Sequence, residues 1–207
     1  MITTCKKKQM TAIELLLQRQ STPVLTEPPP SEADITTLLA AGMRVPDHAG
    51  LKPWHFHVIS GKGLQRLSDL YVEATTIELS TKAGLIEGTS IDEHAFNEKM
   101  AKVAKMPFRA PLIIVISTKY VEHDKVPAQE QLVAAGCCAH AMQMAAFALG
   151  YGAMWRTGDL AYNNTVKQGL GLEEGNEIAG FLYVGTPTKA PHIKPAKDYK
   201  GNVSYWT

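Results

Sequence analysis

The chain has 207 residues, and its 21 Lys plus Arg against 20 Asp plus Glu leave a formal charge of +1. That length fits one α/β or α+β domain with a real core, and the near-cancelled charge lacks the electrostatic footprint of a nucleic-acid or anionic-membrane binder. Small molecules are the expected partners. Three cysteines, Cys5, Cys137 and Cys138, make no disulfide framework, which fits a reducing, cytoplasmic setting.

Lys6 to Lys8 precede the apolar run Ala12 to Leu17, which is too short for a signal peptide and carries Glu14. Residues 1–10 are expected to be loose, within one domain spanning 1–207. Thr11-x-x-Glu14 predicts a capping box that opens a first helix ending near Gln18, with Arg19 at its end. Pro23 and Pro28 to Pro30 then enforce an extended linker. Ser31-x-x-Asp34 starts a second helix with Ile35, Leu38, Leu39 and Met43 on one face.

The stretch Arg44 to Pro53 holds two prolines and Gly50 and reads as a loop, a place where function commonly sits. Trp54 to Ser60, Leu112 to Ser117 and Ile178 to Gly185 read as strands. Helical patterns from Leu64 to Thr81 and Asp92 to Lys105 flank a Gly-containing stretch, Gly84 to Thr89, read as a lid. Glu130 to Leu149 is the strongest helix signal. It is apolar nearly all round, so it is buried centrally or at a subunit interface; Gly136, His140 and Gln143 interrupt it too often for a membrane span. Gly150 ends it, and Tyr151 to Trp155 follows as a short strand. Asn163 or Asn164 caps one more helix to about Leu170. The tail, 187–207, finishes Val203-Ser204-Tyr205-Trp206 and reads as an extension that docks on a partner subunit.

Phosphate loops, G-x-S-x-G, G-x-G-x-x-G after a strand and C-x-x-C are all missing from the sequence. Arg19 and Ser21 supply a bidentate fork and a hydroxyl at a helix end, suited to a phosphate; an ordinary solvated arginine favoured by the helix dipole fits as well. Arg44 and His48 in the proline-rich loop are ligand contacts or a plain surface loop. Asp47, His48, His55 and His57 are the metal alternative, since imidazole and carboxylate suit zinc or iron. His55 and His57 share a strand face, but no recognised ligand spacing links them to the loop pair. Trp54 reads as core.

Taken in order, Arg19-Gln20-Ser21, Arg44-Val45-Pro46-Asp47-His48 before Pro53-Trp54-His55-Phe56, Ala145 to Gly150 leading into Trp155-Arg156-Thr157-Gly158, and Gly180 to Pro187 resemble the nitroreductase family, most closely its small YdjA-like branch. The resemblance covers roughly Leu15 to Pro187. It implies an α+β nitroreductase-like fold with a mainly antiparallel central sheet flanked by helices, an intertwined homodimer, bound FMN, and NADH or NADPH as electron donor. Arg19, Gln20 and Ser21 match an Arg-Arg-Ser at the flavin's polar end, with Gln20 in place of one cation. Arg44 and His48 match FMN contacts, one of them reaching the cofactor of the other subunit. Trp155, Arg156, Thr157 and Gly158 match the stretch against the isoalloxazine, where backbone N–H groups serve N5 and a glycine permits close approach. Ala145, Ala146, Phe147, Ala148, Leu149 and Gly150 match a nicotinamide-binding stretch. The implied reaction is ping-pong hydride transfer from NAD(P)H to the flavin and on to a nitroaromatic or quinone-like acceptor, with no side chain acting as general acid. A flavin sensor with negligible turnover and a specialised dehalogenase or oxidase are the alternatives on the same fold.

Overall fold

The computed structural model describes residues 10–84, 92–190, 192, 195 and 197–207. Thr11 caps helix α1 (Ala12–Gln18) with the full capping box: its side chain accepts from the Glu14 N–H while the Glu14 carboxylate accepts from the Thr11 N–H at 2.8 Å. Ser31 caps α2 (Glu32–Gly42), accepting from the Asp34 N–H at 3.2 Å. The linker between them is not wholly irregular, because Leu25–Thr26 pairs with the last strand as β1. Two residues between prolines give no alternation to read, so this strand had no sequence signal.

Strands β2 (Trp54–Ser60), β3 (Leu112–Thr118), β4 (Gly152–Arg156) and β5 (Ile178–Pro187) complete a five-stranded sheet. Its order is β1-β5-β3-β2 with β4 also on β5, and every pairing is antiparallel. β3 is buried at every position, consistent with its unbroken apolar run and its central place.

Helices cover both faces. α3 (Lys62–Gly84), α4 (Glu93–Ala104) and α7 (Asn164–Gly169) lie on one side, where Tyr71, Val103, Val166, Phe181 and Tyr183 form a core cluster. α2 and α5 (Ala128–Ala148) lie on the other, packing Leu38, Cys138, Ala139, Met142 and Ala146 against Ile114, Leu182 and Val184. α3 exceeds the pattern read from sequence at both ends, α5 starts two residues earlier and ends one residue earlier than read, and Asn163, not Asn164, caps α7. A short α6 (Asp159–Tyr162) follows β4. The stretch read as a lid lies outside the described residues except for Gly84, which ends α3; of residues 1–10 only Met10 is described.

α5 is long and apolar enough to cross a membrane by composition alone. Here Ala135, Cys138, Ala139, Met142 and Ala146 are fully enclosed against the sheet, and each larger apolar side chain so buried contributes roughly 1.5–3 kcal/mol. Burial also pushes the Cys138 thiol up to about 12, which keeps it un-ionised at neutral pH. Apolar surface remains uncovered elsewhere: on α1, Ile13, Leu16 and Leu17 are all more than half exposed, Val133 of α5 is 62% exposed, and Trp206 is 97% exposed.

Candidate functional site

The α1 helix ends at Arg19, whose backbone leaves helical geometry at ψ 133 and turns the chain toward β4. Thr22 then donates its N–H to the Ala153 carbonyl at 2.9 Å, so the segment after α1 runs along the outer edge of β4. Gly152 makes that approach possible: a Cβ there would overlap Leu25 and stand 2.9 Å from Thr22 Cγ2. A side chain that sequence reading passed over completes the arrangement. Gln143, 3% exposed on α5, accepts from Arg19 Nη1 at 3.3 Å and donates to the Ala153 carbonyl at 3.2 Å and to Ser21 Oγ at 3.5 Å. Gln20 is directed elsewhere, donating to the His192 carbonyl of the tail at 3.0 Å.

Because the Ala153 carbonyl faces the outer edge, the two-residue period of the strand turns the Trp155 N–H and C=O to that same edge. The side chains of Trp155 and Arg156 diverge. Trp155 packs with the α5-side core, its indole N–H donating to the Ala179 carbonyl at 3.1 Å. Arg156 pairs across the ladder with Phe181 on the α3 side, and its guanidinium sits 5.5 Å from the centre of the Tyr183 ring. Arg156 Nε is buried without a hydrogen-bond partner among the described residues, an uncompensated cost for a cationic donor. Burial raises the Tyr183 phenol above its usual range, against the pull of Arg109 and Arg156. After Arg156 the chain is exposed, and Gly158 takes φ 105 and ψ −173 with nothing within 4 Å of where a Cβ would stand.

His48 is held beside the start of α5. His48 Nδ1 is 2.8 Å from Glu130 Oε2 in the helix's first turn, with both side chains about half exposed. Arg44 is exposed just past the end of α2. Among the described residues, neither makes a hydrogen bond or ion pair with Arg19 or Ser21. In the stretch Ala145 to Gly150, Ala146 is fully buried, Ala145, Phe147 and Leu149 are half-buried, and only Ala148 and Gly150 are exposed. His55 and His57 do share a face, their rings 4.6 Å apart. Among the described residues, however, no three His, Cys, Asp or Glu side chains gather as a metal site would need, and His48 is engaged with Glu130.

The antiparallel sheet thus carries a buried helix on one face, with the chain after α1 laid along its short strand. The sequence profile of the nitroreductase family matches residues 16–186, and the chain belongs to that family. A protein provisionally named NAD(P)H nitroreductase YdjA, from Escherichia coli K12, is 42% identical over 178 residues, covering 86% of this chain and 89% of that one. A provisionally named NAD(P)H nitroreductase of Haemophilus influenzae is 30% identical over the same length and coverage. Among solved structures, a nitroreductase-like protein from Bacillus cereus superposes with a TM-score of 0.78 at 20% identity, covering 97% of this chain and 98% of that one. The FMN and NADPH-dependent nitroreductase NfnB of Sphigopyxis sp. strain HMH gives 0.70 at 16% identity, covering 96% and 100%. The chain is thus an oxidoreductase of the nitroreductase type.

Proposed function

We propose that the protein binds FMN and uses NADH or NADPH to reduce electron-poor acceptors such as nitroaromatics or quinones, working as a homodimer. The observation that carries this reading is the bridge from Arg19 and Ser21 through Gln143 to the Ala153 carbonyl of β4. It joins a cation and a hydroxyl, suited to a terminal phosphate, to a strand whose next outer edge offers backbone groups to a flavin ring. The residues fit the cofactor in two further respects. Buried Arg156 Nε has a donor to spend, and the open space over Gly158 admits a flat ring close to backbone. Bound there, FMN would supply the hydride-accepting and electron-passing chemistry between nicotinamide and acceptor. The protein binds, orients and excludes water.

In this reading Arg19 and Ser21 hold the phosphate, while Trp155, Thr157 and Gly158 present backbone to the ring and Arg156 offers its guanidinium. Gln20 is turned to the tail and adds no second cation. The exposed apolar side chains of α1, Val133 and the Tyr205–Trp206 end supply what a second copy would cover, and that copy's Arg44 and His48 complete the site. Ala145 to Gly150 serve the nicotinamide only through the exposed Ala148 and Gly150.

The experiment is the absorption spectrum of the purified protein, followed by release of its cofactor and steady-state NAD(P)H oxidation with and without a nitro acceptor. Yellow protein releasing FMN, with acceptor-dependent turnover, is the expected result. Colourless protein that takes up no added FMN overturns the reading.

A further inference from the structure

Two glutamines are buried in the otherwise apolar α5, and they are used differently. Gln131 spends its amide within its own neighbourhood: its Oε1 accepts from the Val121 N–H at 3.0 Å, and its Nε2 donates to the carbonyls of Val121 and Val126 at 2.8 and 3.0 Å. Gln143 instead ties Arg19 and Ser21, 124 and 122 residues away, to Ala153 of β4. We infer that Gln143 is a positioning residue that presets Arg19 and Ser21 as phosphate donors and fixes them to β4. This rests on the reading of those two residues as the phosphate end of an FMN site.

Donor and acceptor accounting gives the reason for an amide here. Oε1 takes one N–H of Arg19, and the remainder of its five-donor fork stays available. Nε2 donates to Ser21 Oγ, so the serine accepts at that side and its own O–H is left to donate. A phosphate dianion only accepts, and both partners are thereby arranged as donors toward it. The amide is neutral, so it anchors Arg19 without cancelling its charge. A carboxylate in its place would neutralise the guanidinium and set an acceptor against the Ala153 carbonyl. Arg19 held in this way loses its rotamer freedom on folding and not on binding, which favours the ligand.

The test titrates flavin-stripped, full-length parent protein, Gln143→Leu and the near-isosteric Gln143→Glu with FMN and with riboflavin, which carries the same ring and ribityl chain without the phosphate. The parent is expected to prefer FMN strongly. Each variant should lose about tenfold or more in FMN affinity while riboflavin affinity moves by less than about twofold, the scale of a charge-assisted hydrogen bond lost at one end of a ligand. Combined with Arg19→Ala, the Gln143→Leu loss should be less than additive, because one residue acts through the other. Equal losses for FMN and riboflavin would show a packing role and overturn the inference, as would an unchanged FMN preference in both variants. A parent that binds the two flavins equally removes the phosphate reading of Arg19 and Ser21 itself, and the inference with it.

Discussion

His48 Nδ1 and Glu130 Oε2 stand 2.8 Å apart, fastening the Arg44–Pro53 loop to the first turn of α5, while Arg19 is fastened to the same helix at Gln143. From position 130 to position 143 an α-helix advances about 20 Å, at 1.5 Å per residue. The proposed FMN site accordingly takes its Arg19 from one protomer and its His48 from the other.

Mixed dimers check this directly. Arg19→Ala and His48→Ala homodimers are each expected to bind FMN weakly at both sites. Refolded together, a mixed dimer should regain one full-affinity site, because one site collects both defects and the other neither. If flavin stoichiometry in the mixture never exceeds that of the separate variants, the two residues serve one site in cis or different functions altogether.

Gly180 lies under the Trp155 indole, and a Cβ at that position would overlap its Nε1 and Cδ1 atoms. Gly180→Ala should push Trp155 off the Ala179 carbonyl and destabilise the fold by about 1–3 kcal/mol, the usual range for overpacking. For a chain of this size each kcal/mol lowers the melting temperature by about 2–4 °C. A melting temperature equal to the parent's would mean that the indole moves aside at no cost.

The His57 imidazole is held below its ordinary value, first by burial and then by His55 beside it. The fold thus favours the neutral ring, and the unfolded chain binds its proton first as pH falls below about 6.5. This group's contribution to stability is full above that pH and declines toward the lower folded-state value. Denaturant midpoints of the parent should fall between pH 7 and pH 5 by more than those of His57→Gln. Parallel midpoints across that range would assign the acid sensitivity to other groups.

Much of this fold was legible because local and global preferences agree. The capping residues Thr11 and Ser31, the unbroken Leu112–Thr118 strand and the apolar α5 helix each announce themselves within a few residues. Of the candidate site, Arg19, Ser21 and the Trp155–Gly158 stretch stand out in the sequence by motif order. The side chains that organise it do not. Gln143 appeared only as an interruption of an apolar helix, and Tyr183 only within the Gly180 to Pro187 stretch; their contacts run across 124 residues in the first case and across the β4–β5 ladder in the second. A buried polar residue in an otherwise apolar helix was the available signal, because such a group must find partners. The pairing of His48 with Glu130 likewise needed the loop's path over α5.

Tyr183 and Gly158 together set a test of which end of the flavin the β4 exit serves. The Arg156 guanidinium sits over the Tyr183 ring, and its Nε is buried without a partner among the described residues. A cation in that place favours the flavin state that carries more negative charge, which is the reduced one. Arg156→Ala should therefore lower the two-electron midpoint potential by about 30–60 mV, a ten- to hundredfold loss in affinity for reduced over oxidised flavin. Oxidised FMN should stay largely bound, unlike in Arg19→Ala, where a loss of about 1.5–3 kcal/mol is expected at the phosphate. Tyr183→Leu removes the ring face, worth about 0.5–2 kcal/mol to the guanidinium, and should shift the potential in the same direction, whereas Tyr183→Phe keeps the face and should hold the parent value. Gly158→Val acts differently. The protein leaves open space at that Cβ, but φ 105 is a conformation few L-residues adopt, so the chain must shift its exit and the side chain fills the space that the proposed function gives to the ring. That variant should slow flavin reduction in stopped flow with little change in melting temperature. If Arg156→Ala and Gly158→Val both reduce at the parent rate, or lose FMN as badly as Arg19→Ala does, the exit of β4 does not face the redox end of the cofactor.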